Sequence, residues 1–202
     1  MRDRLIGVAL AMTAIMAVGC AAHVRLAPPS MEAVLAPWQP GPVASLDEDL
    51  AAAAESQCRA RTPQASGLAV VLHDQRGDGV DTVVLAGPDG QASCQVAGDD
   101  SGNVTWLAGS TIPGPVADAP VSNDITIEGM GSSSGSDTGT VSDISGRAGP
   151  SIASLRIVLA DGREIVATTS NGWFYAWWPG ESVAISLFGD DAAGRMIASA
   201  TP

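Results

Sequence analysis

Asp161-Gly162 and Asn171-Gly172 each stand between runs that read as β-strand: "ASLRIVLA", "REIVATTS" and "WFYAWW". An Asx-Gly pair in that setting is a strong hairpin signal, because a tight type I′ turn needs positive φ at both central residues. Two such turns in succession commit this region to an antiparallel meander. The runs "SVAISLF" and "RMIASA", divided by "PGE" and "DDAAG", extend it toward the C-terminus. If both turns contain two residues, the register follows. Ser170 then faces Trp173, Val166 faces Trp177 and Ile165 faces Trp178. Across the first turn Val158 faces Ile165 and Ile157 faces Val166.

Alternation sorts these residues onto two faces. One carries Leu155, Ile157, Leu159, Val166, Trp173, Tyr175 and Trp177, and is expected to be core. The other carries Arg156, Val158, Arg163, Ile165, Ala167, Phe174, Ala176 and Trp178, and is expected to be only partly covered. Residues 173–178 hold five of the chain's eight aromatic rings, so this division matters. It makes Phe174, Trp178, Arg156 and Arg163 the candidate binding surface. The alternative is that another part of the chain covers Phe174 and Trp178, and the stretch is core alone.

Upstream, "SLDEDLAAAAESQCRA" predicts a helix over 46–60. Ser45 and Glu48 have capping-box spacing, acids fill the first turn, and Pro63 ends it. The runs "LAVVLHD", "DTVVLAG", "QASCQVA" and "VTWLAGS" then predict a four-stranded meander with the helix across one face. The expected fold class is therefore mainly β with one N-terminal helix (α+β), built of antiparallel meander sheets. Residues 45–110 form the helix and first sheet. Residues 111–150 form a loose connecting segment with a Gly/Ser loop at 131–139, whose flanks "DITIEG" and "TGTVSDISG" are compatible with strands. Residues 151–202 form a C-terminal antiparallel unit resembling a small β-sandwich. Similar stretches in the two halves, "TVVLAGPDGQASCQV" and "RIVLADGREIVATTS", make a weak internal repeat that shared turn chemistry also explains.

The first residues read as an address. Arg2 and Arg4 precede the apolar stretch "LIGVALAMTAIMAV", too short for a comfortable membrane span, and then "AVGC". Small residues before a cysteine resemble the lipobox of bacterial lipoproteins. That resemblance implies a signal peptide at 1–19 and a lipidated Cys20, whose acyl chains form a stable anchor. The alternative is an ordinary signal peptide cut near Ala22, which discards Cys20. Residues 20–44 contain five prolines and read as a tether. Trp38 within it either docks on the folded part or lies at the lipid surface.

Beyond Cys20 the chain has one cysteine pair, Cys58 and Cys94. In an extracytoplasmic chain that pair is expected to form a disulfide, joining the helix to the third strand of the first sheet. The formal net charge is −12, which argues against nucleic acid as a partner. His73 stands alone in a strand, and the motifs of zinc, serine or phosphate chemistry are missing from the sequence. Asp74, Asp78 and Asp81 crowd one loop, but not with EF-hand spacing. No catalytic residue, metal or cofactor is assigned. The tripeptide Arg76-Gly77-Asp78 is short enough to recur by chance.

The segment "SGRAGPSIASLRIVLADGREIVATTSNGWFYAWWPG", 145–180, resembles one that recurs in secreted and lipid-anchored proteins of high-GC Gram-positive bacteria. The resemblance implies an extracytoplasmic origin and carries no activity. The expected function is a non-catalytic binding or interaction module on the extracytoplasmic face of the cell membrane. An envelope protein or glycan would be its partner. The alternative is an envelope-polymer hydrolase using carboxylate acid/base residues.

Overall fold

The computed structural model describes residues 35–99, 101–135 and 139–202. Cys20 and the leader lie outside them. Helix α1, Glu48–Arg61, begins about two residues later than the sequence suggests. Asp47, rather than Ser45, is its N-cap: the Asp47 side chain accepts from the Leu50 amide at 3.0 Å. A single 3-10 turn, Pro63–Gly67, leads into the strands.

The first sheet is a meander in the order of the chain. It consists of β1 (Ala69–Gln75), β2 (Val80–Gly87), β3 (Gly90–Gly98) and β4 (Val104–Pro113). Helix α1 packs on one face, with Leu50, Ala54 and Cys58 against Val83, Leu85, Cys94 and Val96. Cys58 and Cys94 are disulfide-bonded, with Cα atoms 5.5 Å apart, and the bond staples α1 to β3.

The segment 111–150 is not merely a connector. It supplies β5 (Ile125–Gly135) and β6 (Gly139–Ala148), and the Gly/Ser stretch continues as strand to Gly135. Beyond them come β7 (Ser154–Leu159), β8 (Glu164–Val166), β9 (Thr168–Ser170), β10 (Trp173–Pro179), β11 (Ala184–Asp190) and β12 (Met196–Ala200). These form two further antiparallel sheets, ordered β5-β6-β10-β9 and β12-β11-β7-β8. The run "REIVATTS" is thus split at Ala167. Its first half pairs with β7 in the third sheet, and its second half pairs with β10 in the second.

The turns explain which register expectations hold. Asn171 (φ 52°) and Gly172 (φ 75°) form the two-residue turn, and Ser170 faces Trp173 as the dipeptide suggests. Asp161-Gly162 does not. The Leu159 amide donates to the Arg163 carbonyl at 2.9 Å, so the loop holds three residues, with Gly162 left-handed at φ 86°. That extra residue shifts the pairing by one. Ile157 faces Ile165 and Val158 faces Glu164, which carries Ile165 into the core in place of Val166. Trp177 and Trp178 pair with Asp143 and Ser142 of β6, not with Val166 and Ile165.

The elements stack as four layers: α1, first sheet, second sheet, third sheet. Between the first and second sheets lie Leu72, Val84 and Ala86 against Val141, Trp173, Tyr175 and Trp177. Between the second and third lie Ile144, Phe174, Ala176 and Trp178 against Leu155, Ile157, Leu159, Ile165 and Leu187. Residues 35–43, expected as tether, run along this stack. Trp38 meets Trp177 edge-on with ring centroids 6.3 Å apart, and its Nε1 donates to the Trp177 carbonyl at 3.3 Å. The Pro40 carbonyl accepts from the Val166 amide at 2.8 Å.

Candidate functional site

The four residues nominated as a binding surface are not brought together. Phe174 is 0% exposed and Trp178 2%, so neither ring is available at a surface. The cause is the position of β10 in the middle of the second sheet, which is itself the middle sheet. Its odd residues face the first sheet, and its even residues face the third. Phe174 lies against Gly146, where any added Cβ would collide with the ring. Trp178 buries its indole and donates from Nε1 to the Ser182 carbonyl at 2.7 Å. Arg163 sits at the hairpin end, bound to Asp161 at 2.8 Å and donating to the Pro179 carbonyl at 3.0 Å.

Arg156 alone lies on an open sheet face. It projects from the outer side of the third sheet, opposite to Leu155 and Ile157. Its guanidinium bonds Asp190 at 2.8 Å, approaches Glu164 at 3.4 Å and lies 5.7 Å from the centre of the Phe188 ring. Pairing sets Phe188 directly across from Arg156, and Ser186 across from Val158. Arg156, Val158 and Phe188 are each half-buried, so an aromatic-aliphatic patch carries an arginine held by two acids. Sequence reasoning missed Phe188. A register shift between Ala184 and Ser186 decides its face, and no residue preference in "SVAISLF" announces that irregularity.

A second polar feature lies between the first and second sheets. Thr82, Ser93, Gln95 and Ser110 meet Asp143, Tyr175 and Ser133 around a cavity of about 30 Å³. Gln91 Nε2 donates to Ser145 Oγ at 2.8 Å across the same layer, and Gln95 Nε2 donates to Thr82 Oγ1 at 3.3 Å. Burial alone pushes the Asp143 carboxyl up to about 6. Burial first, and the Asp143 and Asp74 carboxylates second, hold the Tyr175 phenol well above its ordinary value.

The acids around residues 74–81 are separated by the pleat. Asp74 is buried with Arg76: Arg76 Nε donates to Asp74 Oδ2 at 2.8 Å, and Thr168 Oγ1 donates to Asp74 Oδ1 at 2.6 Å. The rest of the Arg76 guanidinium donates to the Pro40 and Val166 carbonyls, each at 2.8 Å. This arginine ties the 35–43 segment and the switch between the second and third sheets to the first sheet. Asp81 is buried on the opposite face of the sheet, 2.8 Å from His73 Nδ1, while Asp78 is exposed. Among the described residues, no group of three or more His, Cys, Asp or Glu is placed to hold a metal. No protein-family model matches the chain, and no curated protein matches it.

Proposed function

We propose that the protein is a non-catalytic interaction module held by a lipidated Cys20 on the extracytoplasmic face of the membrane, with the outer face of the third sheet as its binding surface. The observation that carries this reading is the juxtaposition of Phe188, Val158 and Arg156 on an open sheet face. Aromatic side chains, phenylalanine included, and arginine are enriched at protein–protein interfaces, which favours a protein partner. Asp190 and Glu164 hold the guanidinium in place, so less side-chain entropy is lost on binding. The hydrolase alternative calls for two carboxyls flanking a cleft. Among the described residues Asp47, Asp49, Asp78 and Asp99 line an open cleft beside the helix N-terminus, but the Asp99 carboxylate accepts from Asn103 and is held below its ordinary value, the reverse of what a general acid needs.

The test is site-specific photo-crosslinking on intact cells. A crosslinkable residue at position 188 is expected to give a discrete adduct that Arg156→Ala weakens. The same residue at Ser56, on the exposed side of the helix at the other end of the stack, is expected to give none. Equal labelling from both positions overturns the surface assignment. The anchor is tested separately by Cys20→Ala, which should release the protein from the membrane fraction. Continued partitioning into detergent would refute it.

A further inference from the structure

Two unpaired strand edges border one groove on the side of the stack. β1 ends the first sheet, β9 ends the second, and the two lie beside each other. The open groove between them has a volume of about 540 Å³ and apolar walls of Leu46, Val70, Val71 and Ala167. Bonds already made fix the backbone directions here. The Val43 amide donates to the Gln75 carbonyl at 2.9 Å, so Gln75 turns its carbonyl away from β2. The register is unbroken from Leu72 to Gln75, and antiparallel alternation therefore turns the His73 amide and carbonyl the same way. On β10 the Gly172 carbonyl accepts from the Ala148 amide, so Phe174 directs its backbone toward β6. Thr169, which faces Phe174, thus points its own amide and carbonyl outward from β9. Among the described residues these outward groups of His73 and Thr169 have no backbone partner. The segment 35–43 covers the rest of this side: Trp38 bonds the Trp177 carbonyl where β9 has ended, and Pro40 accepts from Val166 on the edge of β8. Native sheets protect an open edge with lysine, proline, a bulge or a covering segment. This chain has no lysine, and β1 and β9 contain no proline. The bulge in β1 lies between Val70 and Leu72, before His73, and the last edge bond of the covering segment is that of Val43.

We infer that this groove receives an extended apolar segment of a partner polypeptide, added along the edge of β1 beyond Val43. The segment pairs its backbone with the His73 amide and carbonyl and seats apolar side chains against Leu46, Val71 and Ala167. Thr169 offers a second backbone donor and acceptor on the opposite wall. Main-chain bonds to a sheet edge supply affinity, and the apolar wall selects the side chains. The net charge of −12 opposes a second copy of this chain as the occupant. The groove lies apart from the outer face of the third sheet, and the inference stands whether or not that face binds a partner.

The probe is a library of random peptides displayed on phage, selected on the full chain in detergent, with the tightest binder then synthesised. Its affinity is measured by titration calorimetry, and amide hydrogen exchange is followed by NMR with and without it. The selected peptide is expected to be apolar and free of proline at its centre, and to slow exchange of the His73 amide by about tenfold or more. Leu46→Asp and Val71→Lys should each weaken binding by about tenfold. Arg156→Ala, on the outer face of the third sheet, should leave it unchanged. Failure to select any binder, or a binder that leaves the His73 amide unprotected, overturns the inference. So does binding that is lost with Arg156→Ala and kept with Leu46→Asp. Protection of His73 that rises with protein concentration alone, together with a dimer in sedimentation, assigns the groove to a second copy and overturns the partner. If Val71→Lys fails to fold, Leu46→Asp still decides, because Leu46 is 47% exposed and its loss leaves the core intact.

Discussion

Asp74 is a fully buried carboxylate and Asp143 a half-buried one, and they are compensated differently. Asp74 has the buried Arg76 at 2.8 Å and the Thr168 hydroxyl at 2.6 Å. Replacing Arg76 with Met leaves a buried charge and takes the guanidinium donor from the Val166 carbonyl, while the Pro40 carbonyl keeps the Val166 amide. The expected loss is about 3–5 kcal/mol, with partial recovery in the Asp74→Leu/Arg76→Met double variant. Denaturant unfolding measures both. For Asp143, burial raises the folded carboxyl to about 6, so folding favours its protonated form. Its stabilising contribution is complete below the ordinary carboxylate pKa and is lost as pH rises through about 6. Asp143→Asn should therefore stabilise the protein at pH 8 by up to about 3 kcal/mol and make no difference near pH 4. Tyr175 and Asp74 face the same layer. The Tyr175 phenol stays neutral throughout this range, and burial also raises the Asp74 carboxyl against the opposing pull of Arg76, a contribution that parent and variant share and that cancels in their difference. A flat difference across pH would show that Asp143 is not desolvated.

Among the elements, helix and first sheet were legible in the sequence, because their signals are local: a cap, a proline stop and turns between alternating runs. The Cys58–Cys94 bond followed from a cysteine pair in a chain read as extracytoplasmic. Removing it with a Cys58→Ala/Cys94→Ala double variant should cost about 3–4 kcal/mol in the chain-entropy model, read as a lower unfolding midpoint. The hairpins were legible only in part. Asn171-Gly172 makes the expected turn, while Asp161-Gly162 takes one more residue and reverses the facing of Glu164, Ile165 and Val166. Dipeptide chemistry suits both loop lengths, since a Gly in left-handed conformation serves either. The misplaced binding surface followed from that and from assuming that neighbours in sequence pair in space. β10 instead has β6 along its whole length.

At the scale of the molecule, the stack makes the second sheet a shared wall. A sheet covered on both faces has no solvent side, so alternation along β10 divides two cores from each other, not inside from outside. That arrangement accounts for why "WFYAWW" carries rings on both parities, and it was not recoverable from one strand read alone. It also predicts that unfolding of the three sheets is coupled. Variants at either core should lower one common transition, seen alike by far-UV circular dichroism and tryptophan fluorescence.

Trp177 and Trp178 are adjacent, fully buried and directed into different cores. Their unfolding free energies test the layered stack most directly. Denaturant unfolding of Trp177→Ala and Trp178→Ala is predicted to show that each loses about 3–5 kcal/mol. A Trp178→Ala protein within about 1 kcal/mol of the parent would contradict the stack, because it would leave the second sheet without a third sheet to cover it.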